Sequence, residues 1–164
     1  MTSQHSVERV VDQVRRINAT CAAPADRVIR TEVTATLTDV ARVKAWLTAA
    51  EADLVRRLDG PGTFPEADIA DATRCSLSDA SKQRERSQTL DAADRFAASL
   101  GNGDITAGHV DALTRAGKKL DEPHRSELFD QQDDLVAHAE SIDVAAFDRL
   151  LKKKVKEIQA DDGI

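Results

Sequence analysis

The sequence predicts an all-α protein: a multi-helix bundle with one long heptad-patterned helix and a helix-turn-helix-like segment. Hydrophobic residues make up 41% of the 164 residues and aromatic residues only 3%, so the apolar content is mostly Ala, Leu, Val and Ile. Ala and Leu are strong helix formers. Only seven Gly and four Pro are available to interrupt elements. Apolar residues recur at steps of three and four along most of the chain, and no run alternates with period two, so no sheet is expected. A chain of this size buries roughly 68–70% of its unfolded surface, enough for one domain or one domain with a helical arm.

A short first helix is expected from about Ser6 to Asn18, where Val7, Val10, Val11, Val14 and Ile17 form one stripe. The stretch Ala19–Asp26, with Pro24, breaks it, so residues 1–26 read as a short helix and linker ahead of a helical domain at 27–164. A long helix follows over 27–58. Val33, Leu37, Val40, Val43, Leu47, Ala50, Leu54 and Leu58 fall on one face at alternating three- and four-residue spacing. That seam suits either a central core helix or a helix that projects into a hairpin or dimer.

Asp59–Pro65 (DGPGTFP) is the strongest break in the chain. A short helix is expected at 66–73, a turn at Cys75–Leu77, and Ser78 as N-cap of a helix over 79–100. Gly101–Thr106 (GNGDIT) reads as a connection ending in an N-cap threonine for a helix over 107–120. Pro123 suits the first turn of the next helix, 123–139, with Leu128, Gln132, Leu135 and Ala139 inward. Asp143 caps a last helix, about 143–159, with Val144, Phe147, Leu151, Val155 and Ile158 on one face.

Two cysteines, Cys21 and Cys75, cannot build a disulfide framework and read as reduced thiols. The polar N-terminus has no continuous apolar stretch of the secretory kind, and no segment reaches the ~20 apolar residues of a membrane span, so a cytoplasmic location without membrane contact is expected. The net charge of −6 argues against a surface coated for nucleic acid, but it leaves room for a local basic face.

Two such faces stand out. Residues 66–73, a tight turn and the helix after it resemble a helix-turn-helix, whose second helix enters the major groove of DNA by its N-terminal part. Arg74, Ser78, Ser81, Lys82, Gln83, Arg84 and Arg86 are residue types that bond phosphates and base edges. The bland alternative is a solvated helix of mixed charge. Near the C-terminus Lys152, Lys153 and Lys154, with Arg149 and Lys156, could bind phosphates by counterion release, or simply complement the helix dipole.

Nothing points to chemistry. His5, His109, His124 and His138 show no metal-ligand spacing, and the GNGDITAG segment lacks the lysine of a phosphate-binding loop and any preceding strand. No serine or carboxylate has a recognisable partnered base, so no catalytic residue, metal, cofactor or small-molecule substrate is expected.

The long helix ending AAEADLVRRL, the TRCSLSDA turn into a basic helix, GDITAGHVDAL, and the segment from KKLDEPHRSELFD to RLLKKKV together resemble a known family. It is the N-terminal helical region of actinobacterial HNH endonuclease proteins, the domain-of-unknown-function 222 or 13E12 repeat family. The likeness runs from about Thr31 to Gly163. It implies an all-helical domain that precedes a small metal-dependent nuclease and positions or binds DNA. The histidine–asparagine–histidine metal motif of that nuclease does not occur in this chain, so the resemblance assigns no catalytic role to any residue. Two roles follow: a module that binds double-stranded DNA for an HNH-type nuclease, or a protein-interaction or homodimerisation module working through the 33–58 seam.

Overall fold

The computed structural model describes residues 4–161, with side chains from Ser6 onward. The helices are α1 (Gln4–Ala22), α2 (Arg30–Leu58), α3 (Glu66–Thr73), α4 (Leu77–Ala92), α5 (Asp94–Asn102), α6 (Ala107–Lys118), α7 (Glu122–Asp130), α8 (Gln132–Ser141) and α9 (Val144–Asp161). A 3-10 turn at Ala25–Arg27 follows Pro24. No strand occurs among the described residues.

Local chemistry sets most of the boundaries. The Asp121 carboxylate accepts the His124 backbone N–H at the start of α7, and Asp143 accepts that of Ala146 at the start of α9. The N-cap of α4 is Ser76 rather than Ser78: the Ser76 hydroxyl accepts the Asp79 N–H at 3.1 Å and donates to the Asp79 carboxylate at 2.8 Å. Ser76 and Ser78 are both capping residues, but only Ser76 has the acidic partner three positions on that closes a reciprocal cap.

Two expected helices are each divided. The run at 79–100 breaks at Ala93, and the run at 123–139 breaks at Gln131. Neither position carries a Gly or Pro; the cause is packing. α4 lies against α2, α3 and α6, whereas α5 turns onto α2 and α8. In the same way α7 rests on α6 and α9, and α8 on α5 and α9. A straight helix could serve only one set of neighbours.

The main core lies among α4–α9 and one face of α2. Phe96, Leu100, Val110, Leu113, Leu128 and Phe147 are fully buried there, and the Phe96 and Phe147 rings sit 6.1 Å apart. A small second core of Val55, Ile69 and Ala80 fastens α3 to α2 and α4. His109 is a structural member of the core: Nδ1 accepts the Thr106 N–H at 3.2 Å, and Nε2 donates to the Ile142 carbonyl at 3.0 Å. This ties the start of α6 to the α8–α9 turn.

Gly103 ends α5 with φ +82, the left-handed conformation that glycine tolerates. A Cβ there would lie 2.9 Å from the Arg42 Cβ and 3.2 Å from its Cα. Gly103→Ala therefore combines left-handed strain with a clash against α2. It is expected to lower unfolding stability by on the order of 2 kcal/mol in a urea titration. A change within about 0.5 kcal/mol would mean that this turn is not held against α2.

α1 and α2 form an antiparallel pair. Arg16 bonds Asp39 at 2.9 and 3.0 Å and the Thr20 hydroxyl meets that of Thr36 at 2.9 Å, so chain number rises in one helix as it falls in the other. Residues 1–26 thus include a helix packed along α2, and Arg9 also donates to the Gly101 carbonyl of α5. The buried residues of α2, Ala45, Ala52 and Val55, all lie in its C-terminal half. Its N-terminal half has none and packs on α1; α1 and the solvent-facing side of α2 together form an arm along the body.

Candidate functional site

The helix-turn-helix-like segment forms as α3, a turn at 74–76, and α4. Arg74 takes a left-handed conformation (φ 54) in the turn, and Arg74, Ser78 and Lys82 are exposed around the first turns of α4. Lys82 lies 3.3 Å from Asp79. Ser81 is half-buried, and so is Gln83, whose amide oxygen is buried without a hydrogen-bond partner.

Two of the three arginines of this segment are turned inward onto carboxylates. Arg84 donates from Nε and Nη2 to Asp59 at 3.3 and 2.8 Å and from Nη1 to Glu66 at 2.8 Å. Arg86 makes a fork with Asp111, at 2.7 and 2.9 Å, with Glu51 further off at 3.9 Å. A guanidinium fork matched to a carboxylate is a strong, geometrically specific contact. Arg84 ties α4 to the end of α2 and the start of α3, and Arg86 ties α4 to α6. The partners lie 18 to 25 residues away in sequence, so no local spacing signals them.

These pairs leave an electrostatic mark. The Arg84 hydrogen bonds hold Asp59 and Glu66 below the usual carboxylate range, and Asp59 and Glu66 in turn raise Arg84. Arg16 lowers Asp39 in the same way, and Lys152 with Arg115 lowers Asp148. Folded values lie below unfolded ones, so this stabilisation is present above the unfolded carboxylate value of about 4 and is lost as pH falls through the folded values. The urea midpoint is expected to hold from about pH 7 to 5 and to fall below about pH 4. Arg84→Met should lower the neutral-pH midpoint and flatten the acid fall. Parallel acid limbs for the two proteins would show that Arg84 does not set these carboxylates.

The C-terminal lysines lie along α9. Lys152 pairs with Asp148 at 2.7 Å, and Lys153 and Lys154 approach Glu157 at 3.8 and 3.9 Å. Arg149 and Lys156 are exposed on the same helix. The cluster is therefore interleaved with carboxylates.

The α2 seam lies at the surface. Leu37 is 60% exposed, Leu47 53% and Leu54 64%, with Val33 and Leu58 exposed and Val40 and Val43 half-buried. The core-facing residues of α2 are smaller ones, Ala45, Ala49 and Ala52. On α1, Val10 is buried and Ile17 half-buried, while Val7, Val11 and Val14 are exposed. The expected single stripe of α1 is thus divided between an inner and an outer face, with Gln13 taking an inner place at 1% exposure.

The two outer stripes lie side by side. At 100° per residue, Val7, Val11 and Val14 are displaced about a quarter turn from the inner residues Val10, Gln13 and Ile17. Val33, Leu37, Val40 and Leu47 are displaced by a similar angle, in the same sense along the chain, from Thr36, Asp39 and Val43. In an antiparallel pair, the same sense on both helices brings both stripes to one side. With Ile29, also exposed, this forms an apolar face along the arm.

Elsewhere the surface offers little. A cleft of about 500 Å3 between α2, α4 and α5 is lined by Asp53, Arg56, Asp91 and Asp94, with Arg56 bridging Asp53 and Asp91 at 2.9 Å each. Ser87, which also lines it, donates its hydroxyl to the Ala52 carbonyl at 2.7 Å. Among the described residues no three His, Cys, Asp or Glu side chains converge as metal ligands; the His5 side chain lies outside the described residues. Cys21 is exposed and Cys75 half-buried, both as free thiols. No helix among the described residues is long and apolar enough to cross a membrane. No family model, curated protein or solved structure matches the chain.

Proposed function

We propose that the chain is a non-catalytic protein-interaction module whose docking surface is the apolar outer face of the α1–α2 arm. The observation that carries this reading is the exposure of Val33, Leu37, Leu47, Leu54 and Leu58 along a 29-residue helix, beside Val7, Val11 and Val14. Apolar patches above roughly 300–600 Å2 are uncommon on monomers and mark interaction sites. A heptad spacing of leucines is the pattern by which helices recognise other helices.

The test is photo-crosslinking in the producing cell. A photoreactive side chain at Leu37 or Leu54 should give one discrete protein adduct, and the same group at exposed Ser126, on α7, none. No adduct from the arm, or equal adducts from both places, would refute the reading.

A second reading is contact with double-stranded DNA beside an HNH-type nuclease, as the family resemblance implies. It is favoured by the exposed Arg74, Ser78 and Lys82 at the start of α4, whose N-terminal dipole also attracts phosphate. Arg84 and Arg86 contribute less to it, because their forks are occupied by carboxylates. If duplex DNA binds, affinity falls with Arg74→Ala and Lys82→Ala and falls steeply with added salt. Absence of binding at low ionic strength removes this reading.

A further inference from the structure

We infer that the occupant of the arm face is a second copy of this chain, with the two α2 helices packed antiparallel about a two-fold axis close to Leu47. The inference rests on the arm being a docking surface and goes on to name the partner.

Charge is the first ground. Along the outer stripe of α2, from Ile29 through Val33, Leu37, Val40, Lys44, Leu47, Glu51 and Leu54 to Leu58, the charged members are Lys44 and Glu51. They lie one heptad apart, on either side of Leu47, and carry opposite signs. In an antiparallel pair centred there, Lys44 of one copy faces Glu51 of the other, twice by symmetry. Leu37 of each copy then meets Leu58 of the other, and the two Leu47 side chains meet at the axis. A parallel pair in register would set Lys44 against Lys44 and Glu51 against Glu51, which is repulsive. Glu51 is only loosely held within the chain. Its contact within the chain, to Arg86, is 3.9 Å, and Arg86 is already forked onto Asp111.

Area is the second ground. A two-fold interface must present one patch that complements itself. The exposed parts of Leu37, Leu47, Leu54 and Leu58, which this pairing brings together, come to roughly 400 Å2 per copy, close to the apolar share of a standard interface of about 800 Å2 per partner.

The test uses the purified full chain in sedimentation equilibrium. The wild type should be dimeric, and Lys44→Glu, which sets carboxylate against carboxylate at both symmetric positions, should weaken the dimer by about tenfold or more. Adding Glu51→Lys to that variant should restore it. Because Glu51→Lys brings a cation toward Arg86, a second measurement stands apart from that contact. In a Cys21→Ser background, Leu47→Cys should link two copies on oxidation. Leu37→Cys should not, since antiparallel packing separates the two positions by roughly 30 Å at 1.5 Å per residue. A monomeric wild type overturns the proposal, and so does linking at both positions, the mark of a parallel pair. A monomer in solution together with a discrete arm adduct of a different protein in the cell would sink this inference and leave the docking reading standing.

Discussion

Phe147→Ala is expected to lower unfolding stability by about 3–5 kcal/mol, a large share of the ~5–15 kcal/mol that a typical domain possesses. Phe147 is 0% exposed and sits where α9 closes the main core, its ring 6.1 Å from that of Phe96 and 5.6 Å from that of His109. Truncation removes the buried ring and leaves a cavity lined by residues from several helices, each fixed by its own neighbours, so the gap collapses only in part. At about 2–4 °C per kcal/mol for a chain of this size, the melting temperature should fall by roughly 6–20 °C. Phe64 is the internal control: at 83% exposure in the loop before α3, its replacement by alanine should stay within about 0.5 kcal/mol. Equal losses at the two phenylalanines would mean that the packing described around α9 is wrong.

The other large effect is on association rather than folding. Leu37→Asp combined with Leu54→Asp should leave the helical signal and the melting temperature of dilute protein nearly unchanged, because both side chains already face solvent. Their effect on self-association should be severe. Truncating a central interface residue costs about 2–4 kcal/mol, and a carboxylate buried against apolar groups costs more. Together the two substitutions should weaken the dimer by roughly a thousandfold or more, taking it out of reach at micromolar concentration. Chromatography with light scattering reads this directly. Loss of helical signal in the double variant would instead mean that these leucines support the monomer.

The helical architecture was legible in the sequence wherever the signal is local. The cap at Asp143, the break at Asp59–Pro65 and the bounds of α3 follow from residue chemistry within a few positions, and the structure has them as expected. Of the expected inward face of α9, Phe147, Leu151, Val155 and Ile158 are buried, and Val144, in its first turn, is half-buried. The divisions at Ala93 and Gln131 were not, because each is imposed by helices distant in sequence. The same holds for the candidate sites. Arg84 and Arg86 carry the composition of a DNA-facing helix, but their carboxylate partners sit on α2, α3 and α6, and only the folded chain brings them together. The α2 seam could be read from its heptad spacing as core or as contact surface, and periodicity cannot choose between them. What decides its exposure is that the smaller residues Ala45, Ala49 and Ala52 allow α2 to approach the body on a different face.

Amide hydrogen exchange of the intact protein, followed in dilute and in concentrated solution, asks most directly whether the arm is where this molecule meets its partner. Residues 37–58 of α2 should exchange more slowly as concentration rises, while α6 and α9, buried in the monomer, should not change. Exchange in the arm that is indifferent to concentration, or protection that moves to the start of α4 when duplex DNA is added, would contradict it.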